Sequence, residues 1–205
     1  VLFVGKPGIG KTSLAKIIVK DILKCQYLYI NASDENGIDT IRTKVLNFAQ
    51  TKSLFGQIKV IILDECDGLS IDAQKALRNS IEEYHELTRF ILTANYKHKI
   101  IPALQSRCQI FDINYDKNEY LTKLISIVKA EEVKINKEQF TTITNSSYPD
   151  FRKGINALQK YFLSDGKDDS VFNSKDFFDG LHDLLIQKKY TVIRKHIIEH
   201  EVLFN

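Results

Sequence analysis

The chain is short of cysteine, of net charge and of long apolar runs, and each shortage removes a class of protein. Three cysteines, Cys25, Cys66 and Cys108, are scattered through 205 residues. They make neither a disulfide framework nor a zinc-ligand spacing, so a reducing, intracellular setting is the default. Cys66 and Cys108 read as small apolar packing residues. No apolar run approaches the roughly 18 residues that span a bilayer, and no signal-peptide pattern opens the chain. The formal net charge is +3, too little by itself to mark a nucleic-acid-binding protein. Internal repeats and low-complexity segments are absent, and so is an initiator methionine. Val1 already lies in a strand-like run, so the sequence reads as a piece of a longer protein.

What is present is an alternation. Apolar runs of strand length occupy residues 1–4, 26–31, 59–63, 89–93 and 109–113, separated by helical patterns at 11–24, 38–50 and 71–84 and a short one near 100–105. Continuous apolar strands between helices predict a parallel sheet covered on both faces. After Asn114 the pattern is helical alone, at 117–130, 137–144 and 150–162, the last with Phe151, Ile155, Leu158 and Phe162 on one face. A polar stretch rich in Gly, Asp and Ser at 164–174 predicts a linker, and two amphipathic helices follow at 175–187 and 190–202. The expected organisation is an α/β core at 1–115, a three-helix unit at 116–163, the linker, and a helical piece at 175–205.

The stretch "GKPGIGKTS", residues 5–13, fits G-x-x-x-x-G-K-[ST] between a strand and a helix. Glycines let backbone N–H groups turn inward onto phosphate oxygens, and the helix start adds its positive end. The candidate ATP-binding residues are Lys6, Pro7, Gly8, Ile9, Gly10, Lys11, Thr12 and Ser13. Lys11 is suited to the β- and γ-phosphates and the Thr12 hydroxyl to Mg²⁺. An apolar strand ending in "DECDG" supplies the second half. Asp64 is placed to hold Mg²⁺, largely through water, and Glu65 to polarise the attacking water as general base. These features together predict NTP hydrolysis. A small-molecule kinase of the same loop type needs an acceptor site, and the sequence offers none.

Five motifs in order give a resemblance to AAA+ ATPases and, within them, to clamp-loader subunits of the replication factor C small-subunit family. "DECD" resembles the DExx box and "NASDENGIDTIR" the segment after the second strand. "ILTANY" resembles sensor 1, "LQSRC" the Ser-Arg-Cys motif, and "YPDFRKGINALQ" the sensor 2 helix, in a form similar to the clamp loaders of T-even-type phages.

The resemblance implies a P-loop NTPase of AAA+ type, with a five-stranded parallel sheet, a three-helix lid and the beginning of a helical collar. It implies a ring, a pentamer in the family pattern, that uses ATP and Mg²⁺ to load a sliding clamp onto primer–template DNA. By motif match Asn95 contacts the γ-phosphate or its attacking water, and Arg152 reaches the phosphates from the lid. Arg107, which has no evident partner nearby in the sequence, becomes the finger completing a neighbouring subunit's ATP site. Arg42, Lys44, Lys75 and Arg78 become candidates for DNA phosphates, the last two on one helix face with Gln74 and Arg78 able to pair with Glu82. Asn36 stands where arginine is common in the family, and Cys66 where alanine is. Another DNA-associated AAA+ ATPase, a helicase loader or branch-migration motor, would share the ATP motifs but not the "SRC" and "NASDENG" pair. A nucleotide-locked scaffold would not need both Glu65 and Arg107.

Overall fold

The structure is a computed structural model and describes residues 1–51 and 58–163. The linker expected at 164–174 and the helical piece at 175–205 lie outside the described residues. The chain divides into two compact units, Val1–Tyr115 and Asp116–Asn205.

In the first unit, strands β1 (Leu2–Val4), β2 (Tyr27–Asn31), β3 (Lys59–Asp64), β4 (Thr88–Ala94) and β5 (Ile110–Asp112) form one sheet in the order β2-β3-β4-β1-β5. Every neighbouring pair is parallel. β3 is buried along its whole length, so the strand has no solvent side for polar residues to mark. Alternate side chains still feed two separate cores. Leu2, Val4, Ile61, Leu63 and Leu92 point into one, and Phe3, Val60, Ile62 and Ile91 into the other.

The first core is closed by α2 (Ile38–Thr40), a π-helical stretch Ile41–Val45, α3 (Leu46–Gln50), α4 (Ile71–Tyr84) and α5 (Pro102–Gln105). The second is closed by α1 (Lys11–Ile17) and the π-helical stretch Ile18–Leu23 that continues it. Each buried Val, Leu or Ile is worth about 1.5–3 kcal/mol, so these two layers hold the sheet flat against its helices. The π-helical stretches differ from the plain helices that the periodicity predicts. Buried Ala15 and Val19, and buried Ile41, Val45 and Ala49, keep a four-residue spacing through them, so the apolar pattern carries no trace of the wider turn.

The second unit packs α6 (Lys117–Ala130), α7 (Lys137–Ser147) and α8 (Phe151–Leu163) around Tyr120, Leu124, Ile143, Leu158 and Tyr161. α6 begins in a capping box, in which the Glu119 N–H donates to Asp116 at 2.7 Å and the Asp116 N–H to the Glu119 carboxylate at 3.2 Å. The apolar face expected on α8 is rotated: Leu158 is buried, but Ile155 and Phe162 are 38% and 53% exposed. Gly154 takes the inward position instead, because a Cβ there would lie 2.4 Å from the Tyr120 hydroxyl.

In a parallel sheet all carboxyl ends open onto one edge, and the loops there build binding sites. β1 leads into residues 5–10, β3 into Glu65 and β4 into Asn95. Because β4 lies between β1 and β3, Asn95 emerges between the loop and the acid pair.

Candidate nucleotide site

The loop after β1 turns on Gly8 (φ 71°) and Gly10 (φ 91°). Gly10 is left-handed at the cap of α1, a conformation that costs a side-chain-bearing residue roughly 1–2 kcal/mol. Ile9 anchors the loop in the core, while Lys6, Pro7 and Ser13 are exposed. Lys11 is 7% exposed. Its ammonium donates to the carbonyls of Gly5 and Lys6 at 2.9 Å each and to Asn95 Oδ1 at 2.7 Å. A buried cation is costly unless acceptors surround it, so these bonds fix the charge inside the turn. They also bring Lys11 and Asn95 together across 84 residues.

Thr12 Oγ1 donates to both oxygens of Asp64, at 2.8 and 2.9 Å. The Thr12 hydroxyl keeps its lone pairs while donating, so it and the Asp64 carboxylate form a set of hard oxygen donors. That chemistry suits Mg²⁺ and not a thiophilic metal. Asp64 also accepts from Thr93 Oγ1 and, at 2.9 Å, from the Tyr29 hydroxyl. Burial, together with the hydrogen bond to Asp64, pushes the Tyr29 phenol up to about 12, which keeps it a donor at neutral pH.

Glu65 follows in a left-handed conformation, φ 55° and ψ 44°. Its N–H donates to Thr93 Oγ1 at 3.0 Å, and Ser33 Oγ donates to its carboxylate at 2.5 Å. Asp67 accepts from the N–H groups of Asn95 and Tyr96 at 3.2 and 3.3 Å, tying the end of β4 to the acidic box. Burial pushes the Cys66 thiol well up, and its Sγ lies 3.1 Å from the Leu63 carbonyl, as a packing residue's would.

Sequence reasoning missed Tyr29, Ser33, Asp67 and Thr93. Ser33, Asp67 and Thr93 lay inside the family motifs without being singled out. Tyr29 and Ser33 meet the acids through the pairing of β2 with β3, in which Asn31 lies opposite Asp64.

Arg107 lies elsewhere. It lies three residues before β5, whose Ile110 pairs with Leu2 at the start of β1. It therefore sits at the amino ends of the strands, with about 10 Å of strand between it and the phosphate loop. It does have a partner: its Nε donates to Glu82 Oε1, the oxygen that also accepts from Arg78 Nε at 3.1 Å. The hydrogen bond from Arg107 holds the Glu82 carboxyl below its ordinary range.

Arg42 and Lys75 line one open groove together with Asp72 and Asn79. Lys44 pairs with Glu35 at 2.5 Å and Lys75 with Asp72 at 3.0 Å. Gln74 does not share their face. It is 2% exposed, and its amide is turned inward onto the backbone of Leu69, Lys99 and Ile101. Arg152 is exposed on α8 in the second unit.

A parallel sheet with a phosphate loop after its first strand and paired acids after its third defines a P-loop nucleotide-binding domain. The chain belongs to the ATPase family associated with various cellular activities (AAA), whose model matches residues 1–115. It is 47% identical over 165 residues to the replication factor C small subunit of Methanococcus vannielii, a match covering 78% of this chain and 52% of that protein. The match to the replication factor C small subunit of Sulfolobus acidocaldarius is 44% identical over 165 residues, covering 78% and 51%. The chain thus spans about half the length of the curated relatives it matches. Among solved structures, the RuvB Holliday junction branch migration motor of Thermotoga maritima matches with a TM-score of 0.61 at 17% identity, covering 96% of this chain and 60% of that one. That likeness is one of fold.

Proposed function

We propose that this chain is the ATP-hydrolysing part of a sliding-clamp loader subunit, which uses ATP and Mg²⁺ to place a polymerase clamp on primer–template DNA inside the cell. Identities of 42–47% to replication factor C small subunits favour that substrate over branch migration, whose motors share the fold at 17%. The observation that carries the chemistry is a separation. Lys11, Thr12, Asp64, Glu65 and Asn95 belong to the carboxyl ends of β1, β3 and β4, while Arg107 lies at the amino end of β5. One cation needed for hydrolysis faces away from its own site, as a group serving a neighbour's nucleotide does.

In this reading the loop N–H groups and Lys11 hold the β- and γ-phosphates. Thr12 and Asp64 would hold Mg²⁺, which would supply charge neutralisation at the same phosphates. Glu65 accepts the proton of the attacking water and Asn95 orients that water. Arg107 of the adjacent subunit stabilises the charge that develops on the γ-phosphate oxygens, an effect worth ~10³–10⁵ in rate in related NTPases. Arg152 reports the nucleotide to the three-helix unit. Arg42, Lys44, Lys75 and Arg78 contact DNA phosphates. Three of these four cations are held in half-exposed ion pairs, worth ~0–1 kcal/mol and so readily exchanged for phosphate. The ring holds five subunits in the family pattern.

Complementation between two inactive variants tests the arrangement. Full-length Arg107→Ala and Glu65→Gln proteins each bind ATP and each lose turnover, Arg107→Ala by ~10³-fold or more. Mixed rings regain activity, because the intact Arg107 of a Glu65→Gln subunit faces the intact Glu65 of its neighbour. A mixture no faster than its components would contradict a finger acting between subunits.

A further inference from the structure

The Asp64 carboxylate is held by more than the phosphate loop. Its two oxygens receive three hydroxyls: Thr12 on both, Thr93 on Oδ1 and Tyr29 on Oδ2 at 2.9 Å. Thr12 belongs to the loop and Thr93 to the adjacent central strand. Tyr29 comes from β2, at the edge of the sheet, where it pairs with Ile62 in register. Its ring lies under the Lys16 ammonium, 4.4 Å from the centroid, so α1 fixes the ring from above while β2 fixes it from below.

The hydroxyl is not needed for that packing, since a phenylalanine ring would meet Lys16 and the sheet equally well. The ring is only partly covered, with Tyr29 37% exposed, and a phenol in that position can turn its hydroxyl to water. Here it turns to the carboxylate.

We propose that Tyr29 is a positioning residue for the metal-holding carboxylate, acting through Asp64 and never touching nucleotide. This rests on the reading of the site given above, in which Thr12 and Asp64 hold Mg²⁺. Tyr29 and Thr93 engage one carboxylate oxygen each and so fix the rotation of the carboxylate about its Cβ–Cγ bond. The remaining lone pairs then stand beside the Thr12 hydroxyl before any cation arrives. Without Tyr29 the carboxylate is pinned at one oxygen beyond the loop and turns, so binding the cation must order it. Removing an outer partner of a metal ligand typically costs 10–100-fold in metal affinity.

The test measures nucleotide binding, not turnover. Affinity of the full-length protein for a fluorescent ATP analogue is titrated against free Mg²⁺ and in EDTA, for wild type and Tyr29→Phe, with Mn²⁺ binding followed by EPR as a second readout. The expected result is an unchanged affinity in EDTA, with the Mg²⁺ and Mn²⁺ midpoints raised ~10-fold in Tyr29→Phe. In an Asp64→Asn background the same substitution produces no further change. Superimposable metal midpoints would overturn the assignment, and so would an equal loss of affinity in EDTA, which marks a structural role. A wild-type protein whose nucleotide affinity ignores Mg²⁺ would overturn the site reading itself, and Tyr29 with it.

Discussion

Glu65 shows how far single residues at this site are held from their ordinary states. A left-handed backbone at a non-glycine residue costs of order 1–3 kcal/mol, and here it is retained by two bonds, from its own N–H to Thr93 and from Ser33 to its carboxylate. Thr93 is fully buried and serves both acids, accepting from the Glu65 backbone and donating to Asp64. Thr93→Val keeps the shape and removes the hydroxyl, which takes a buried donor from Asp64 and the acceptor from the Glu65 N–H, and costs about 1–3 kcal/mol of stability. Single-turnover hydrolysis is expected to fall by ~10-fold or more, with equilibrium ATP affinity changed much less. Equal loss in both would mean that Thr93 only maintains the fold. The acids themselves were legible in the sequence, because metal holding and general-base chemistry demand carboxylates at a strand end. Tyr29, Ser33 and Thr93 were not, because their contacts with the acids arise from strand pairing. Ser33 and Thr93 lie inside family motifs, but nothing in those motifs says which acid they meet, and Tyr29 lies in no motif at all.

Among the elements, α4 connects both ends of the first unit. It starts beside the acidic box and carries, in its last turn, Glu82, which holds Arg107. In the first turn of the helix, Gln74 spans to the segment before α5: its amide nitrogen donates to the carbonyls of Leu69 and Lys99 at 3.2 and 3.1 Å, and its oxygen accepts from the Ile101 N–H at 2.8 Å. Gln74→Leu fills the space and leaves those backbone groups unpaired. We expect about 1–3 kcal/mol lost in urea unfolding, and a variant as stable as wild type would show that water replaces the amide. The bounds of α4 and α6 followed from their apolar spacing, while the caps that the structure places there, Ser70 and Asp116, were not singled out. The inward turn of Gln74 did not, because a polar residue reads as solvent-facing until its backbone partners are known. Lys59 is a second such case. A lysine opening an apolar run is buried to 1%, its ammonium taken up by the carbonyls of Phe48 and Thr51 and by Thr51 Oγ1. The Glu82 partner of Arg107 lies 25 residues away on another element, beyond the reach of any local pattern.

At the scale of the whole molecule, the nucleotide site and Arg107 occupy opposite ends of one sheet, and in the proposed reading the chemistry is completed only by assembly. The basic candidates give that assembly a second test. Arg42 and Lys75 share a groove although they are 33 residues apart (75 − 42). If both meet DNA phosphates, Arg42→Ala and Lys75→Ala weaken primer–template binding uniformly across sequences. Each also lowers the slope of log affinity against log salt by about 1. Unchanged slopes would leave the two as solvated surface cations. The most direct measurement is the steady-state ATPase rate of the full-length protein alone, with clamp, with primer–template DNA, and with both together. A clamp-loader subunit predicts a low basal rate raised most strongly by clamp and DNA together, and lost in Arg107→Ala while ATP binding persists. A rate indifferent to both would contradict clamp loading, however well the site binds nucleotide.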